Sequence, residues 1–273
     1  MTTVEDIFDG FKETMSGLVK GLQVIHITTP TAQLLCCQHD DDVAAVFSRP
    51  DIKQFDQIPV KKGDAIIGLL TRHTYIAGTT GPASIYMHPL GENILVSADT
   101  QLLDFLQDES LDRLVISGTK MYGLVTRSDF LKLPVRLLAF ALVTHIEVHM
   151  AAMIQSTGVQ PEVWIDWLES ENRERVKRKF SQLLHEKSDP DILELTTFYD
   201  KQRILQALLS SEKYPSLLPQ RKLIGQLSAL TQLRNTVAHS GGNADDDYTL
   251  QLFITRLHLA RNWIKEIDES KKS

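Results

Sequence analysis

Arg234, Asn235 and His239 stand in the run Leu233-Arg234-Asn235-Thr236-Val237-Ala238-His239-Ser240, which closes a stretch of helical period and runs into Gly241-Gly242. A cation, an amide and an imidazole are the parts that metal-free cleavage of a phosphodiester requires. The imidazole transfers a proton, the cation neutralises developing charge on the phosphate, and the amide orients one of them. In RNA the attacking group would be the adjacent 2′-hydroxyl, with His239 exchanging the proton, Arg234 holding the phosphate and Asn235 positioning. Asn235 and His239 lie four apart and share a helical face, and Arg234 beside them has the reach to converge. A helix C-terminus also eases protonation of an imidazole, which suits proton exchange near neutral pH. The competing reading is a helix end whose Arg and His satisfy free carbonyls, with no substrate involved.

Three other sets carry chemistry of the second rank. Arg173, Arg175, Lys177, Arg178 and Lys179 form the densest basic run, a possible phosphate-backbone path. Glu171 and Glu174 precede Arg175 and Arg178 by four residues, so a salt-laced exposed helix is the readier explanation of the run. His145 and His149 have the spacing of two metal ligands on one helix, but no third ligand accompanies them locally, and no metal is expected. Glu147, on the same apolar helix, needs a cation, for which Arg234 is a candidate.

The elements that must position these residues follow two grammars. Up to about Leu133 short β-like runs alternate with helical ones, and the pattern repeats. Leu35-Cys36-Cys37-Gln38, followed by an acidic helix start, parallels Ile94-Leu95-Val96-Ser97; Phe55 to Val60 parallels Leu111 to Ile116; Gly68-Leu69-Leu70-Thr71-Arg72 parallels Gly123-Leu124-Val125-Thr126-Arg127. Each copy reads strand, helix, strand, turn, strand. Beyond Pro134 the period is helical, with segments expected at 135–155, 161–187, 192–211, 219–240 and 246–269, broken at Gly158, Pro190, Pro215 and Gly241. The expected organisation is an amphipathic helix over residues 1–20, a repeated α+β domain over 21–133 and an all-α bundle over 134–273.

The repeated half resembles a tandem pair of CBS domains, a fold of two βαββα repeats whose clefts commonly bind adenosine nucleotides. The match is fuller in the second copy, where Gly123 to Asp129 is similar to the family's ribose-binding signature. That resemblance implies Thr126 and Asp129 as ribose ligands, with Arg127 able to meet phosphate, and AMP, ADP or ATP as regulatory ligand. A Thr hydroxyl and an Asp carboxylate at a strand end have the donor and acceptor character that a ribose diol needs. The first copy has Thr74 where the Asp would stand, which leaves one competent cleft expected; a simple N-cap is the other reading of Thr126 and Asp129. Leu233 to Ser240 resembles the motif of HEPN domains, helical bundles whose ribonuclease-type members carry Arg, a polar residue and His. That resemblance implies RNA as substrate and a homodimer in which two motifs share a cleft. A non-catalytic regulator or RNA-binding scaffold is the alternative.

Composition bounds the rest. With 273 residues, 42% hydrophobic and 23% charged, the chain can bury two ordinary cores. A net charge of −6 argues against binding polyanions over its whole surface. Cys36 and Cys37, the only cysteines, are adjacent and unsuited to a structural disulfide, so a cytoplasmic protein without membrane partners is expected. Leu137 to Ile154 is apolar but interrupted by His145, Glu147 and His149, which fits a buried bundle helix.

Overall fold

In the computed structural model of the protein, residue 17 and residues 19–106, 112–185, 191–238 and 247–270 are described. The expected helix over residues 1–20 lies almost wholly outside them. The chain divides into two compact units, Gly17–Arg136 and one that contains Leu137–Ser273.

The first unit carries two four-stranded sheets built alike. Its strands are β1 (Thr29–Pro30), β2 (Cys37–Gln38), β3 (Gln57–Lys62), β4 (Ala65–Thr71), β5 (His88–Pro89), β6 (Leu95–Ser97), β7 (Arg113–Ser117) and β8 (Lys120–Val125). The sheet orders are β2-β3-β4-β5 and β6-β7-β8-β1. In each, a parallel pair is followed by an antiparallel hairpin and a short antiparallel edge strand. The hairpins even share a register irregularity, at Val60/Lys61 and at Val115/Ile116. Short helices α1 (Val43–Ser48), α2 (Ala83–Tyr86) and α3 (Leu102–Phe105) fill the crossovers. Asp42 starts α1 by accepting from the backbone N–H groups of Ala44 and Ala45, two donors a helix cannot satisfy internally.

Strand alternation separates two cores. Leu70 joins Val43, Phe47, Ile58 and Val60 beneath the first repeat's own helices. Leu69, one residue earlier and on the opposite face, packs with Ile66, Leu114 and Leu124, which come from both sheets. Each buried leucine contributes about 1.5–3 kcal/mol, so the shared cluster ties the repeats together. The glycine opening each repeated Gly-Leu motif has a steric cause. A Cβ on Gly123 would lie 2.1 Å from the Thr29 carbonyl oxygen, and one on Gly68 would lie 2.6 Å from that of His88. Only glycine lets the edge strand close on the hairpin at those points.

The second unit is helical. Helix α4 (Leu133–Ser156) enters it, followed by α5 (Pro161–Trp164), α6 (Ser170–His185), α7 (Phe198–Ser210), α8 (Arg221–Ala238) and α9 (Asp247–Ser270), with 3₁₀ turns between. On α8, Leu223, Ile224, Leu227, Leu230 and Leu233 form one buried stripe at helical spacing. Neighbouring α7 and α9 pack along it, and the indole of Trp263 donates to the Leu223 carbonyl at 3.0 Å. The helix expected to start at Pro219 begins instead at Arg221, because Pro215–Gln220 winds as a 3₁₀ turn with Pro219 inside it. Among the described residues α4 is the one helix long and apolar enough to cross a membrane, and 61% of its most apolar 18-residue stretch is buried inside the protein.

Candidate functional site

At the end of β8 the chain leaves extended geometry at Thr126 and winds into a 3₁₀ turn over Arg127–Leu131. Asp129, 5% exposed, closes this turn on itself. Its Oδ2 accepts from the Thr126 backbone N–H at 2.6 Å and from Thr126 Oγ1 at 3.2 Å. Its Oδ1 faces Lys132 Nζ at 2.6 Å and accepts from Thr29 Oγ1 at 3.4 Å. Lys132 also donates to the Ile27 carbonyl at 2.6 Å, so its ammonium pins the β1 segment to the strand end. Thr126 Oγ1 and Ser128 Oγ stand 2.9 Å apart, and Arg127 is exposed beside them. The structure thus brings Thr126, Arg127 and Asp129 to one strand end, with the Asp129 carboxylate engaged by capping and by Lys132.

A polar relay links this end to its counterpart in the first repeat. Arg127 donates its backbone N–H to Asp112 Oδ1 at 3.3 Å, and Gln57 Nε2 donates to Asp112 Oδ2 at 3.1 Å. Thr71 Oγ1 then donates to Gln57 Oε1 at 2.9 Å. Burial raises the Asp112 carboxyl above its ordinary range, opposed by the Arg127 N–H and charge. In the first repeat Thr74 takes the place of the carboxylate and donates to the Thr71 carbonyl at 2.9 Å. Arg72 differs sharply from exposed Arg127. Its Nε and Nη2 donate to the Phe55 and Ile52 carbonyls, both at 3.1 Å, and its guanidinium lies 4.7 Å over the Phe47 ring. The arginine is therefore a lock on its own repeat. Beside it is a pocket of about 170 Å³ that sequence patterns did not announce, since its lining is gathered from α1, β4 and the 74–88 segment.

On α8, Leu233 is buried while Arg234 and Asn235 are exposed, with Arg234 Nη1 3.5 Å from Asn235 Oδ1. His239 lies outside the described residues. Near the motif the helix is bonded by Thr231 to Gln202 on α7 and by Gln232 to Arg256 on α9, and at its start Lys222 Nζ donates to Glu266 Oε1 on α9 at 2.7 Å. The basic run on α6 divides. Arg175 Nη2 binds Asp200 Oδ2 at 2.8 Å and Arg173 Nη1 reaches Asp166 at 3.4 Å, whereas Lys177, Arg178 and Lys179 stay exposed. The cation for Glu147 is not Arg234 but Lys201, whose Nζ sits 2.9 Å away and also donates to the Thr196 carbonyl. Lys201 lies within the buried face of α7 and Arg234 outside the core, which explains the difference. His145 and His149 stack with Nε2 atoms 3.1 Å apart. Among the described residues no group of three or more His, Cys, Asp or Glu is placed to hold a metal ion.

No protein-family model matches the sequence, and no curated protein matches it either. Solved CBS-domain structures are similar to about half of the chain. One is the CBS domain of a bacterial CNNM/CorC family Mg²⁺ transporter in complex with ATP, with 15% identity, 46% of this chain and 96% of that one covered, and a TM-score of 0.36. CBSX2 in complex with AMP shows 17% identity over 43% of this chain and 98% of its own, with a TM-score of 0.37. A putative acetoin utilization protein from Vibrio cholerae shows 14% identity over 43% and 93%, with a TM-score of 0.36. At these scores the site must be read from its own residues: an α+β unit of two like-built sheets, and a helical unit that presents Arg234 and Asn235.

Proposed function

We propose that the α+β unit is a CBS-like sensor of AMP, ADP or ATP, and that the helical unit is a HEPN-like homodimeric effector that cleaves RNA without metal. The observation that carries the sensor is the cluster at the end of β8. Two hydroxyls 2.9 Å apart, a carboxylate and an exposed arginine offer the groups that ribose and phosphate require. A nucleotide that uses the Asp129 carboxylate must compete with Lys132, so binding reorganises the Asp129–Lys132–Ile27 connection. Ligand occupancy is then transmitted through the turn that leads into α4. The buried character of α4 supports a water-soluble setting.

The effector reading rests on Arg234 and Asn235 projecting from α8 near its C-terminal end. Two such sets facing one another across a dimer axis would concentrate cations and proton-transfer groups on one phosphate. A non-catalytic regulator or RNA-binding scaffold is the second reading, and one observation favours the regulator: Arg173 and Arg175 of the basic run serve carboxylates of the fold and are not left for a phosphate path.

Cleavage of single-stranded RNA in excess chelator, with and without each nucleotide, tests the proposal. The enzyme reading expects 2′,3′-cyclic phosphate ends, a rate that responds to nucleotide, and a loss of about two to four orders of magnitude in His239→Ala. RNA binding without cleavage, or cleavage that requires magnesium and ignores His239→Ala, replaces it with the scaffold reading.

A further inference from the structure

A groove of about 650 Å³ lies between α7 and the 166–168 segment that precedes α6, and all of its lining belongs to the helical unit. Tyr199 and Ser210, at the two ends of α7, both line it. The helix between them rises by about 16 Å, so the groove fits an elongated occupant. Trp167 and Tyr199 give it two aromatic side chains, with Leu168 and Ala207 as apolar surface. The Tyr199 ring is fixed in place. Its Oη donates to Glu169 Oε1 at 3.0 Å and accepts from Arg203 Nη1 at 3.5 Å, and the Arg203 guanidinium sits 6.0 Å over its face.

Charge and hydrogen bonding narrow the occupant. Each charge at the groove already has an opposite partner: Arg203 faces Glu169 at 3.1 Å, and Asp166 faces Arg173 at 3.4 Å. A nucleic-acid strand, with a negative charge on every phosphate, would find no surplus cation here and release few counterions. The buried and half-buried polar groups that lack a protein partner are chiefly donors. Among the described residues nothing accepts from the Trp167 Nε1–H or from Gln202 Nε2, and neither nitrogen is sealed from solvent. Gln202 is 6% exposed and its Oε1 already accepts from Thr231 on α8, so its N–H groups are what it offers a ligand. Gln206 adds a second side-chain amide, and Ser210 donates its own proton to the Gln206 carbonyl at 2.8 Å. Asp166, with 64% of its side chain exposed, keeps its hydration when the groove fills. Covering a buried amide donor without giving it an acceptor is costly, so the occupant must carry carbonyl oxygens along its length.

We propose that this groove docks a proline-rich segment of a partner protein in the polyproline II conformation. Such a segment presents carbonyl oxygens and no N–H at its prolines. Its rings pack on aromatic side chains, and it loses little chain entropy because its backbone is already extended. At about 3.1 Å per residue, about five residues cover the groove. The docking site is additional to the nucleotide and RNA readings above and depends on neither.

Calorimetric titration of the full chain with N-acetyl-hexaproline amide, a repeating Pro-Pro-Leu peptide, a Gly-Ser peptide of the same length and hexauridylate tests the assignment. The expected result is binding of at least one proline peptide with a Kd below about 1 mM, at least about tenfold tighter than the Gly-Ser peptide. Trp167→Phe, which keeps a ring and removes the N–H, weakens that binding about fivefold, the worth of one neutral hydrogen bond. Ala207→Trp and Ser210→Trp, at lining positions, each place an indole in the groove and abolish it, with folding of every variant checked by its melting transition. The assignment is overturned if neither proline peptide binds more tightly than the Gly-Ser peptide, or if binding survives in folded Ala207→Trp or Ser210→Trp protein. It is equally overturned if hexauridylate binds and loses that binding in the same variants, which would give the groove to RNA.

Discussion

Replacing Asp200 with alanine should unfold the helical unit at a markedly lower temperature, and the reason lies in the donors gathered around one carboxylate. Asp200 is 0% exposed. It accepts from Asn172 Nδ2 at 2.9 Å, from Arg175 Nη2 at 2.8 Å, and from the Thr197 backbone N–H and Oγ1, both at 2.9 Å. These bonds fasten α6 to the start of α7, and α7 in turn holds the motif helix through Gln202 and Thr231. Truncation leaves Arg175 facing a partly buried gap and removes the reciprocal cap of α7. Breaking a buried pair from one side costs about 3–5 kcal/mol. At roughly 3–5 °C per kcal/mol for a domain of intermediate size, the transition should fall by about 10–20 °C. Differential scanning calorimetry of the full chain suits the measurement, because two units need not melt together. Arg175→Met combined with Asp200→Leu should recover part of the loss, since charge and partner leave together. A shift of less than about 3 °C for Asp200→Ala, or a double variant worse than the sum of the singles, would refute the reasoning.

Two further outcomes follow from local geometry. Gly123→Ala places a Cβ 2.1 Å from the Thr29 carbonyl oxygen and should cost about 1–3 kcal/mol in urea unfolding, while Gly68→Ala, whose second neighbour is the flexible Met87 side chain, should cost less; equal, near-zero effects would show that the edge strands yield freely. Asp42, held below its ordinary 3.8 chiefly by the Gly81 and Ala45 backbone N–H groups, contributes stability present above pH 3.8 and lost as pH falls through its lower folded value. Asp42→Asn should therefore melt lower than the unmodified protein at pH 7, with the gap narrowing as pH falls below 3.8, and a gap independent of pH would contradict the assignment.

The repeated architecture was readable because period two and period 3.6 leave different marks, and because the same marks recur from Leu35 and from Ile94. Paired features such as the Gly68 and Gly123 positions were visible as motif residues, but their cause, an edge strand crossing at van der Waals distance, comes from segments distant in sequence. The same holds for side-chain partners. Glu147 needs a cation, yet nothing local distinguishes Lys201 from Arg234; only the buried face of α7 does. Thr126 and Asp129 were legible as a pair with two meanings, a ribose site or a cap, and their capping geometry and Lys132 contact add a competitor that the spacing did not contain. The pocket beside Phe47 escaped sequence reasoning altogether, because tyrosines and threonines in a loop carry no period and their hydroxyl protons are committed only in three dimensions.

The sensor claim is tested most directly by calorimetric titration of AMP, ADP and ATP into the full chain and into Asp129→Ala, with folding of the variant checked by its melting transition. Binding of at least one adenine nucleotide, weakened by about tenfold or more in Asp129→Ala, the loss expected for a hydrogen bond to a charged group, is the predicted result. Absence of binding by all three nucleotides, or affinity that Asp129→Ala leaves unchanged, would contradict it.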